Sequence, residues 1–438
     1  MPGSKEFWYR DGSLCCEQIS LTEVANEFGT PAYVYSAAAI RGRYREYENA
    51  LAGLAHRICF AVKANSNLAV LSLLAAEGAG FDIVSGGELY RVLAAGGRPE
   101  RVVFSGVGKT EPEIRYALEQ GIHSFNCESA AELETISKLA QMMGRTASIA
   151  IRVNPDVDAV THPYISTGLR EHKFGVDIHA AEAIYLEAAK LPGIEPEGVS
   201  CHIGSQLLAV EPLLEAADKM LALVEVLRRR GVLIRFLDLG GGLGVSYRST
   251  DHPASIGSFL GRLREKVGRL DLEIFVEPGR SIVAEAGVLL SRVILVKQNG
   301  GKGFVVLDAG MNDLIRPALY QAYHEIVPLE EGAGRKQIKV DVVGPVCETG
   351  DFFARERDVA ELGAGDLVAI STAGAYGFVL ASNYNSRPRP CELLIEGDRI
   401  HVARRRETFA DLIRGEVTMH AAECEDDRFA CDICSDPL

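Results

Sequence analysis

The segment ICFAVKANSNLAVLSLLAAEGA, residues 58–79, contains a short apolar run followed by a longer stretch with helical spacing. The apolar run is Ile58–Val62, and the second part extends from Asn67 to Ala79. Short apolar runs bounded by polar residues are typical of buried strands, and the spacing of the second part indicates a helix. The segment therefore predicts one strand–helix unit.

The same pattern recurs through the first two thirds of the chain. Helical candidates such as Glu128–Met143 and Pro212–Arg230 separate short apolar runs that are bounded by Gly, Asn, Asp or Ser. The eight predicted strands are Ile58–Val62, Phe81–Val84, Val102–Phe104, Ser124–Asn126, Ser148–Val153, Gly198–His202, Phe236–Leu239 and Glu273–Glu277. Alternating units of this number predict a (β/α)8 TIM barrel, an α/β fold.

After about Ala284 the predicted strands follow one another without long helices between them. They are Val288–Val296, Phe304–Leu307, Ile338–Val343, Leu367–Ser371, Glu392–Ile395 and Arg399–Val402, and they predict an all-β, sandwich-like or barrel-like domain. The early run Pro31–Tyr35 is expected to pair with these late strands. The predicted organisation is an N-terminal segment 1–38 that joins the β domain, a barrel 39–284, the β domain 285–416 and a disordered tail 417–438.

Composition excludes several classes of partner. The 438 residues are 47% hydrophobic and carry a formal net charge of −14, which repels phosphate backbones and anionic lipids. We therefore expect neither nucleic acid nor membrane as a partner. No signal pattern opens the sequence, and no apolar run approaches the ~18 residues of a membrane span, so we expect a cytoplasmic protein. Ten scattered cysteines fit reduced thiols.

Polar groups follow several predicted barrel strands at the end where barrel enzymes react. They are Lys63 after the first strand, His202-Ile203-Gly204-Ser205 after the sixth, Gly240–Gly242 after the seventh and Glu277-Pro278-Gly279-Arg280 at the eighth. The glycine run exposes backbone N–H groups to an approaching phosphate. Singly, a solvated lysine, a core histidine, a tight turn and a surface ion pair would explain these residues. Their occurrence on one rim favours a functional site.

Seven motifs, in order along the chain, carry a resemblance to a known family. They are Phe60-Ala61-Val62-Lys63-Ala64-Asn65, Ser105-Gly106-Val107-Gly108-Lys109-Thr110, Lys173-Phe174-Gly175, His202-Ile203-Gly204-Ser205-Gln206, Glu277-Pro278-Gly279-Arg280, Cys347-Glu348-Thr349-Gly350-Asp351 and Gly374-Ala375-Tyr376-Gly377. From about Phe7 to Glu416 the chain resembles the alanine-racemase-like, or fold type III, decarboxylases that use pyridoxal 5'-phosphate (PLP), and within them the diaminopimelate decarboxylases.

The resemblance implies PLP as cofactor and assigns residues to it. Lys63 resembles the Schiff-base lysine, whose amine must lose its proton to attack an aldehyde, a condition that desolvation and nearby cations favour. His202 resembles the residue that stacks on the pyridine ring, and Glu277 the one that pairs with the pyridine nitrogen. The residues similar to the family's phosphate cradle are Ser205, Gly240, Gly241, Gly242, Gly279 and Arg280.

A carboxylate at the ring nitrogen keeps that nitrogen protonated, so the ring can accept the electron pair left when carbon dioxide departs. Racemases of the same fold are expected to have an arginine there. Glu277 therefore favours decarboxylation.

The resemblance also implies how a substrate such as meso-2,6-diaminopimelate is held. Arg280, Arg316 and Tyr320 resemble the contacts of its distal carboxylate, because a guanidinium binds a carboxylate bidentately. Glu348 resembles the partner of the distal ammonium. Tyr376 resembles a residue that touches both phosphate and substrate.

Cys347 resembles the family's proton donor, which is delivered from the neighbouring subunit. A small buried hydrophobe is the plainer interpretation of this cysteine. If Cys347 does act across an interface, the smallest active unit is an isologous homodimer with two composite sites. No metal is expected in the site.

Three alternatives stay open. Ornithine and arginine decarboxylases of this fold usually carry an aspartate after the matching cysteine, where this chain has Glu348. A paralogue acting on a carrier-tethered or modified amino acid would keep nearly every motif. The third alternative is a non-catalytic PLP-binding homologue, since fold does not guarantee activity, but the retention of Lys63, Glu277 and Cys347 argues against it.

The resemblance fades after Leu412. The last residues include His420, Cys424, Cys431 and Cys434, and the last two have a spacing found in zinc sites. The acidic residues and the lack of a hydrophobic pattern favour a disordered extension instead.

Overall fold

The computed structural model describes residues 4–157, 173–268, 271–332 and 335–419. The N-terminal segment forms a small antiparallel sheet and a helix that were not predicted. Its elements are β1 (Phe7–Arg10), β2 (Ser13–Cys16), β3 (Ile19–Ser20) and α1 (Leu21–Phe28). The chain then forms β4 (Ala32–Ser36) and α2 (Ala37–Leu51). Ser36 caps the N-terminus of α2, because its side chain accepts a hydrogen bond from the N–H of Ala39.

The middle of the chain forms a closed parallel barrel. Its elements are β5 (His56–Ala61), α3 (Leu68–Ala76), β6 (Gly80–Ile83), α4 (Gly86–Ala94), β7 (Val102–Phe104), α5 (Glu111–Gln120), β8 (Ser124–Cys127), α6 (Ala130–Met142), β9 (Ala147–Asn154), β10 (Val176–Asp177), α7 (Ile178–Ala188), β11 (Ile194–Ser200), α8 (Glu211–Arg229), β12 (Phe236–Asp238), α9 (Ile256–Val267) and β13 (Glu273–Val276).

The barrel closes between its first and last strands. β13 pairs with β5 in parallel, with Phe275 opposite Arg57, and the two-residue β10 lies outside the ring on β9. The prediction of an eight-stranded barrel is thus confirmed. Its interior holds a compact apolar group in which the rings of Phe236 and Phe275 stack with centroids 4.7 Å apart. Because this filling closes the barrel interior, the open site lies at the carboxyl ends of the strands.

The remainder of the chain is mostly sheet. Its elements are α10 (Arg280–Val283), β14 (Gly287–Asn299), β15 (Lys302–Leu307), α11 (Arg316–Tyr320), β16 (Ile326–Pro328), β17 (Gln337–Val343), β18 (Phe352–Ala360), β19 (Leu367–Ile370), β20 (Cys391–Glu396), β21 (Arg399–Arg404) and α12 (Phe409–Leu412).

The N-terminal strand β4 lies inside this sheet. The strand order is β18-β17-β15-β14-β4-β20-β21, and β19 pairs with β14 and β16. β4 runs antiparallel to β14 and parallel to β20, so the expected pairing of Pro31–Tyr35 with late strands is confirmed. The domain bounds 39–284 and 285–416 stay predictions. The tail beyond Met419, with its possible zinc ligands, lies outside the described residues.

None of the helices in the described ranges is both long enough and apolar enough to cross a membrane. The cysteines within those ranges are all free thiols.

Candidate active site

Lys63 lies in a single helical turn, Val62–Ala64, directly after β5. Its ammonium donates a hydrogen bond of 2.7 Å to Oδ2 of Asp82, a fully buried residue of the neighbouring strand β6. Burial alone would lower the pKa of Lys63, but the charges of Asp82 and Glu277 outweigh it and raise that pKa above its ordinary value. The expectation that nearby cations depress the pKa is therefore wrong for the protein alone, because its nearest charges are carboxylates.

Two further buried carboxyl groups lie on the same side of the barrel. Asn126 donates from Nδ2 to Asp238 at 2.9 Å and to Glu277 at 3.2 Å. Burial is the largest cause that raises the pKa of Glu277, followed by the charges of Asp238 and Asp82. Burial also raises the pKa of Asp238. Glu277 is therefore able to hold a proton and to give it to a basic group placed beside it.

The glycine loop after β12 packs tightly against its neighbours. A Cβ on Gly241 would lie 2.3 Å from the carbonyl oxygen of Glu277, and one on Gly240 would lie 2.6 Å from that of Cys201. Gly240 and Gly242 also have φ values of +64° and +118°, which favour glycine. The N–H of Gly241 donates to Nδ1 of His202 at 3.3 Å, which fixes the orientation of that imidazole. Burial lowers the pKa of His202 well below its usual range, so the ring is neutral.

Arg280 connects the rim of the barrel to the loops around it. It donates to Oγ of Ser205 at 3.1 Å and to the hydroxyl of Tyr247 at 2.6 Å. Its guanidinium also lies 4.8 Å from the ring centre of Tyr376. Tyr376 reaches this place because its N–H donates to the carbonyl of Ala64 at 2.8 Å. A loop of the mostly-sheet region thus closes over the turn that carries Lys63.

Two cavities at the carboxyl ends of the strands share the lining residues Lys63, Ser205, Arg280 and Tyr376. The smaller, about 40 Å³, is lined by Ala61, Lys63, His202, Ser205, Gly241, Gly242, Leu243, Glu277, Gly279, Arg280, Ser281 and Tyr376. The larger, about 460 Å³, is lined by Lys63, Ser205, Gln206, Tyr247, Arg248, Arg280, Arg316, Tyr320, Ala322, Tyr323 and Tyr376. The structure therefore brings most of the predicted site residues together, with Gly240 just behind the smaller cavity.

The larger cavity has a strongly cationic lining. Lys63, Arg248, Arg280 and Arg316 contribute to it, and none of its described lining residues is acidic. A space of this composition suits a ligand with more than one anionic group.

Cys347 and Glu348 lie elsewhere in the single chain. Both are exposed, and neither is among the described residues that line the two cavities. Their loop is fixed by Asp351, which accepts the N–H groups of Val346 at 2.6 Å and Met311 at 2.7 Å. The backbone N–H of Cys347 donates to Asn385 at 2.8 Å. Within a single chain, therefore, Cys347 and Glu348 do not line the cavities that Lys63 lines.

Sequence reasoning missed four residues around the site: Asp82, Asp238, Tyr247 and His324. An acidic residue inside an apolar strand was a usable signal for the first two, since such a group is buried only with a partner. No comparable signal marks Tyr247 or His324, because Tyr247 bonds to Arg280, 33 positions away, and His324 bonds to Ser371, 47 positions away.

The residues present fit PLP. An amine, a carboxyl group with a raised pKa, a glycine loop and a serine–arginine pair surround one cavity. Oδ1 of Asp82, which pairs with Lys63 through Oδ2, and Oδ1 of Asn126, which donates to Glu277 through Nδ2, are buried without a hydrogen-bond partner, as is typical near a site for a polar ligand.

The comparisons with known proteins agree with this geometry. The family model "Pyridoxal-dependent decarboxylase, pyridoxal binding domain" matches residues 37–284. The chain is 56% identical to a diaminopimelate decarboxylase of Pseudomonas aeruginosa, over 94% of this chain and 98% of that protein. It is 50% identical to one of Vibrio cholerae, over 92% and 97% of the two chains.

Solved structures are similar over nearly the same span. The diaminopimelate decarboxylase of Helicobacter pylori, complexed with L-lysine, has a TM-score of 0.87 and 46% identity, over 90% of this chain and 98% of that one. The diaminopimelate decarboxylase of M. jannaschii, in complex with L-lysine, has a TM-score of 0.90 and 37% identity, over 95% and 99%.

Proposed function

The chain belongs to the pyridoxal-dependent decarboxylases, and from this premise we propose that it converts meso-2,6-diaminopimelate to L-lysine and carbon dioxide, the last step of lysine biosynthesis. It is a carboxy-lyase of the diaminopimelate decarboxylase type. The observation that supports this choice of substrate is the cationic lining of the cavity beside Lys63. Diaminopimelate keeps one carboxylate after the other leaves as carbon dioxide, and that cavity has arginines to bind it.

Different residues of the chain would bind different parts of the cofactor. Lys63 would bind PLP covalently, with Asp82 orienting its nitrogen. Glu277 would hold the proton at the pyridine nitrogen, and His202 would contact the ring. Gly240–Gly242, Gly279, Ser205 and Arg280 would bind the phosphate. When bound, PLP supplies the electron sink that makes loss of carbon dioxide feasible.

Arginines and tyrosines on the larger cavity would select the substrate. Arg280 and Arg316 would bind the distal carboxylate, and Tyr320 and Tyr376 would complete that contact. Because no described residue in this lining is acidic, the distal ammonium needs a partner from outside it. Glu348 is our candidate for that partner.

We also propose that Cys347 donates the proton that replaces the lost carboxyl group, and that it does so from the second subunit of a homodimer. Its exposure and its absence from the described lining of its own chain's cavities support this arrangement. We further propose that the enzyme acts in the cytoplasm, where free cysteines such as those of the described residues stay reduced.

A substrate panel tests the function. Purified protein reconstituted with PLP should release carbon dioxide from meso-diaminopimelate and form lysine, with far lower rates on lysine, ornithine and arginine. Equal or faster release from ornithine or arginine would favour the related amine-forming decarboxylases. No release from any of them, with a normal cofactor absorbance, would favour a carrier-tethered substrate or a non-catalytic homologue.

Mixing inactive variants tests the composite site. Equal amounts of Lys63→Ala and Cys347→Ala, exchanged through dissociated subunits, should regain about one quarter of the wild-type activity, since half of the dimers then hold one intact site. The matched control is Lys63→Ala with Glu277→Ala, because both residues line one cavity of one chain and both are assigned to the cofactor. That pair should regain nothing. Recovery in both mixtures, or in neither, would contradict the shared site.

A further inference from the structure

Arg316 and Arg280 both contact one tyrosine, Tyr247. Arg280 donates to the hydroxyl of Tyr247 at 2.6 Å, and the guanidinium of Arg316 lies 4.6 Å from the centre of the Tyr247 ring. Among the described residues, no carboxylate forms an ion pair with either guanidinium, and the anion-forming groups nearest to them are tyrosines. Both positive charges therefore remain available to a ligand.

His324 forms a second contact with the guanidinium of Arg316. Nη1 of Arg316 donates to Nε2 of His324 at 2.9 Å, and Nδ1–H of His324 donates to the carbonyl of Ser371 at 2.8 Å. The carbonyl of Ser371, a residue that directly follows β19, thus selects the tautomer that leaves Nε2 as an acceptor. His324 is fully buried, and its ring meets that of Tyr247 edge to face at 5.4 Å.

A neutral hydrogen-bond acceptor beside Arg316 leaves the positive charge of the guanidinium uncompensated. An aspartate or glutamate beside Arg316 would hold the guanidinium equally well but would neutralise it. A cation there would repel it. A neutral imidazole accepts one N–H, limits the rotation of the long side chain and leaves the full charge for an incoming carboxylate.

We propose that His324 is a positioning residue that holds Arg316 for the distal carboxylate of the substrate and so determines the affinity for substrates that carry that carboxylate. The proposal rests on the function proposed above and adds a residue that acts through Arg316 rather than on the reacting atoms. It predicts an effect on KM and little effect on kcat, because the distal contact is the same before and during the reaction.

Two variants of position 324 separate the two hydrogen bonds. The amide of Gln reaches the position of Nε2, so His324→Gln keeps an acceptor for Arg316. The shorter Asn reaches the position of Nδ1, so His324→Asn keeps a donor for Ser371 and loses the acceptor. A purely structural role for the buried histidine would make both variants similar.

We expect His324→Asn to raise KM for meso-diaminopimelate about tenfold or more, with kcat within about threefold of wild type, the loss expected for one hydrogen bond to a charged group. His324→Gln should remain within about threefold of wild type in both parameters. Equal KM values for wild type and His324→Asn, or equal losses in both variants, would overturn the proposal.

A binding measurement adds a readout that does not depend on turnover. L-Lysine and cadaverine share one carbon chain and differ in the carboxylate, so their dissociation constants from the holoenzyme are compared by calorimetry. His324→Asn should weaken L-lysine about tenfold and leave cadaverine unchanged. If wild type neither decarboxylates diaminopimelate nor prefers L-lysine to cadaverine, the proposed function fails. If wild type does both and His324→Asn matches it, only the role of His324 fails.

A third measurement leaves position 324 intact, in case its variants do not fold. With ¹⁵N-labelled histidine, wild-type protein should show one neutral Nδ1–H imidazole whose Nε2 resonance moves in Arg316→Met. If no such resonance moves, His324 does not contact Arg316 in solution and the proposal is wrong.

Discussion

The ammonium of Lys63 and the carboxylate of Asp82 form a hydrogen-bonded ion pair of 2.7 Å at the carboxyl end of two adjacent parallel strands. Asp82 is fully buried, whereas the Lys63 side chain is 38% exposed to the cavity. The pair keeps the amine protonated in the absence of cofactor. Uptake of an aldehyde therefore requires that this proton be removed first.

Replacing Asp82 should shift the pH dependence of cofactor uptake. Loss of the carboxylate in Asp82→Asn lowers the pKa of Lys63, so more neutral amine is present at a given pH. The rate of PLP incorporation by the apoprotein, followed by absorbance, should reach its plateau about 1–3 pH units lower than in wild type. Asp218→Asn, at an exposed ion pair with Lys266, is the control and should leave the profile unchanged. Superimposable profiles for Asp82→Asn and wild type would refute this role.

Removing the amine should abolish both colour and activity. Lys63→Ala is expected to be colourless and inactive while its circular dichroism matches that of wild type, because Lys63 lies on the wall of a cavity rather than in the packed core. Exposed Lys190→Ala is the control, and it should retain both properties. Persistent decarboxylation by Lys63→Ala would contradict its assignment.

Cys347 should affect turnover but not cofactor binding. Cys347→Ala is expected to keep the PLP absorbance and to lose roughly 10²-fold or more in kcat, as for a lost general acid. Steady-state kinetics with meso-diaminopimelate and the absorbance spectrum measure the two properties. An unchanged kcat would assign the proton transfer to another group.

The tight packing of the glycine loop predicts a steric loss of cofactor affinity. In Gly241→Ala the new Cβ meets the carbonyl of Glu277 at 2.3 Å, so the loop must shift away from the site. We expect PLP to bind about 10- to 100-fold more weakly, from the 1–3 kcal/mol that overpacking costs. Gly257→Ala, in α9 with nothing within 4 Å of its Cβ, is the matched control and should bind normally. Equal dissociation constants for the two variants would show that the loop does not contribute to the cofactor site.

An ion pair near the C-terminal end of the described chain predicts a pH-dependent stability. Burial opposes ionisation of Glu407, but hydrogen bonds from Arg389 and Asn383 lower its pKa from 4.5 to about 2. A carboxyl with a lowered folded-state pKa stabilises the protein above its unfolded pKa and loses that effect as the pH falls towards the folded value. Glu407→Gln should therefore cost about 1–2 kcal/mol at neutral pH, since Arg389 is partly exposed.

Denaturant unfolding at a series of pH values measures that difference. The gap between wild type and Glu407→Gln should narrow between pH 4.5 and about 2. A gap that stays constant over this range would rule out the ionised carboxyl as its source.

Most strands of the barrel were predictable because a strand buried on both faces is a short run rich in apolar residues. Two strands of the mostly-sheet region were missed for the opposite reason. The sequence of β18 includes Arg355-Glu356-Arg357, and these charges mask the apolar pattern of an edge strand that, within the described part of the chain, pairs with β17 alone. β16 has three residues, too few for a pattern.

The composition of the site was predictable where residues follow strand ends, as Lys63 and Glu277 do. Its electrostatics were not, since the pKa of Lys63 depends on Asp82, nineteen positions away in sequence. The same limit applies to His324, whose acceptor atom faces Arg316 because its other ring nitrogen bonds to Ser371, 47 positions away.

The position of β4 between β14 and β20 also constrains how the protein is made on the ribosome. Residues 32–36 leave the exit tunnel early, yet one of their partners, 391–396, is synthesised after nearly all of the barrel. The nascent barrel is thus complete while this strand still lacks a neighbour. The sheet that contains β4 is consequently completed later than the barrel, although β4 is synthesised before it.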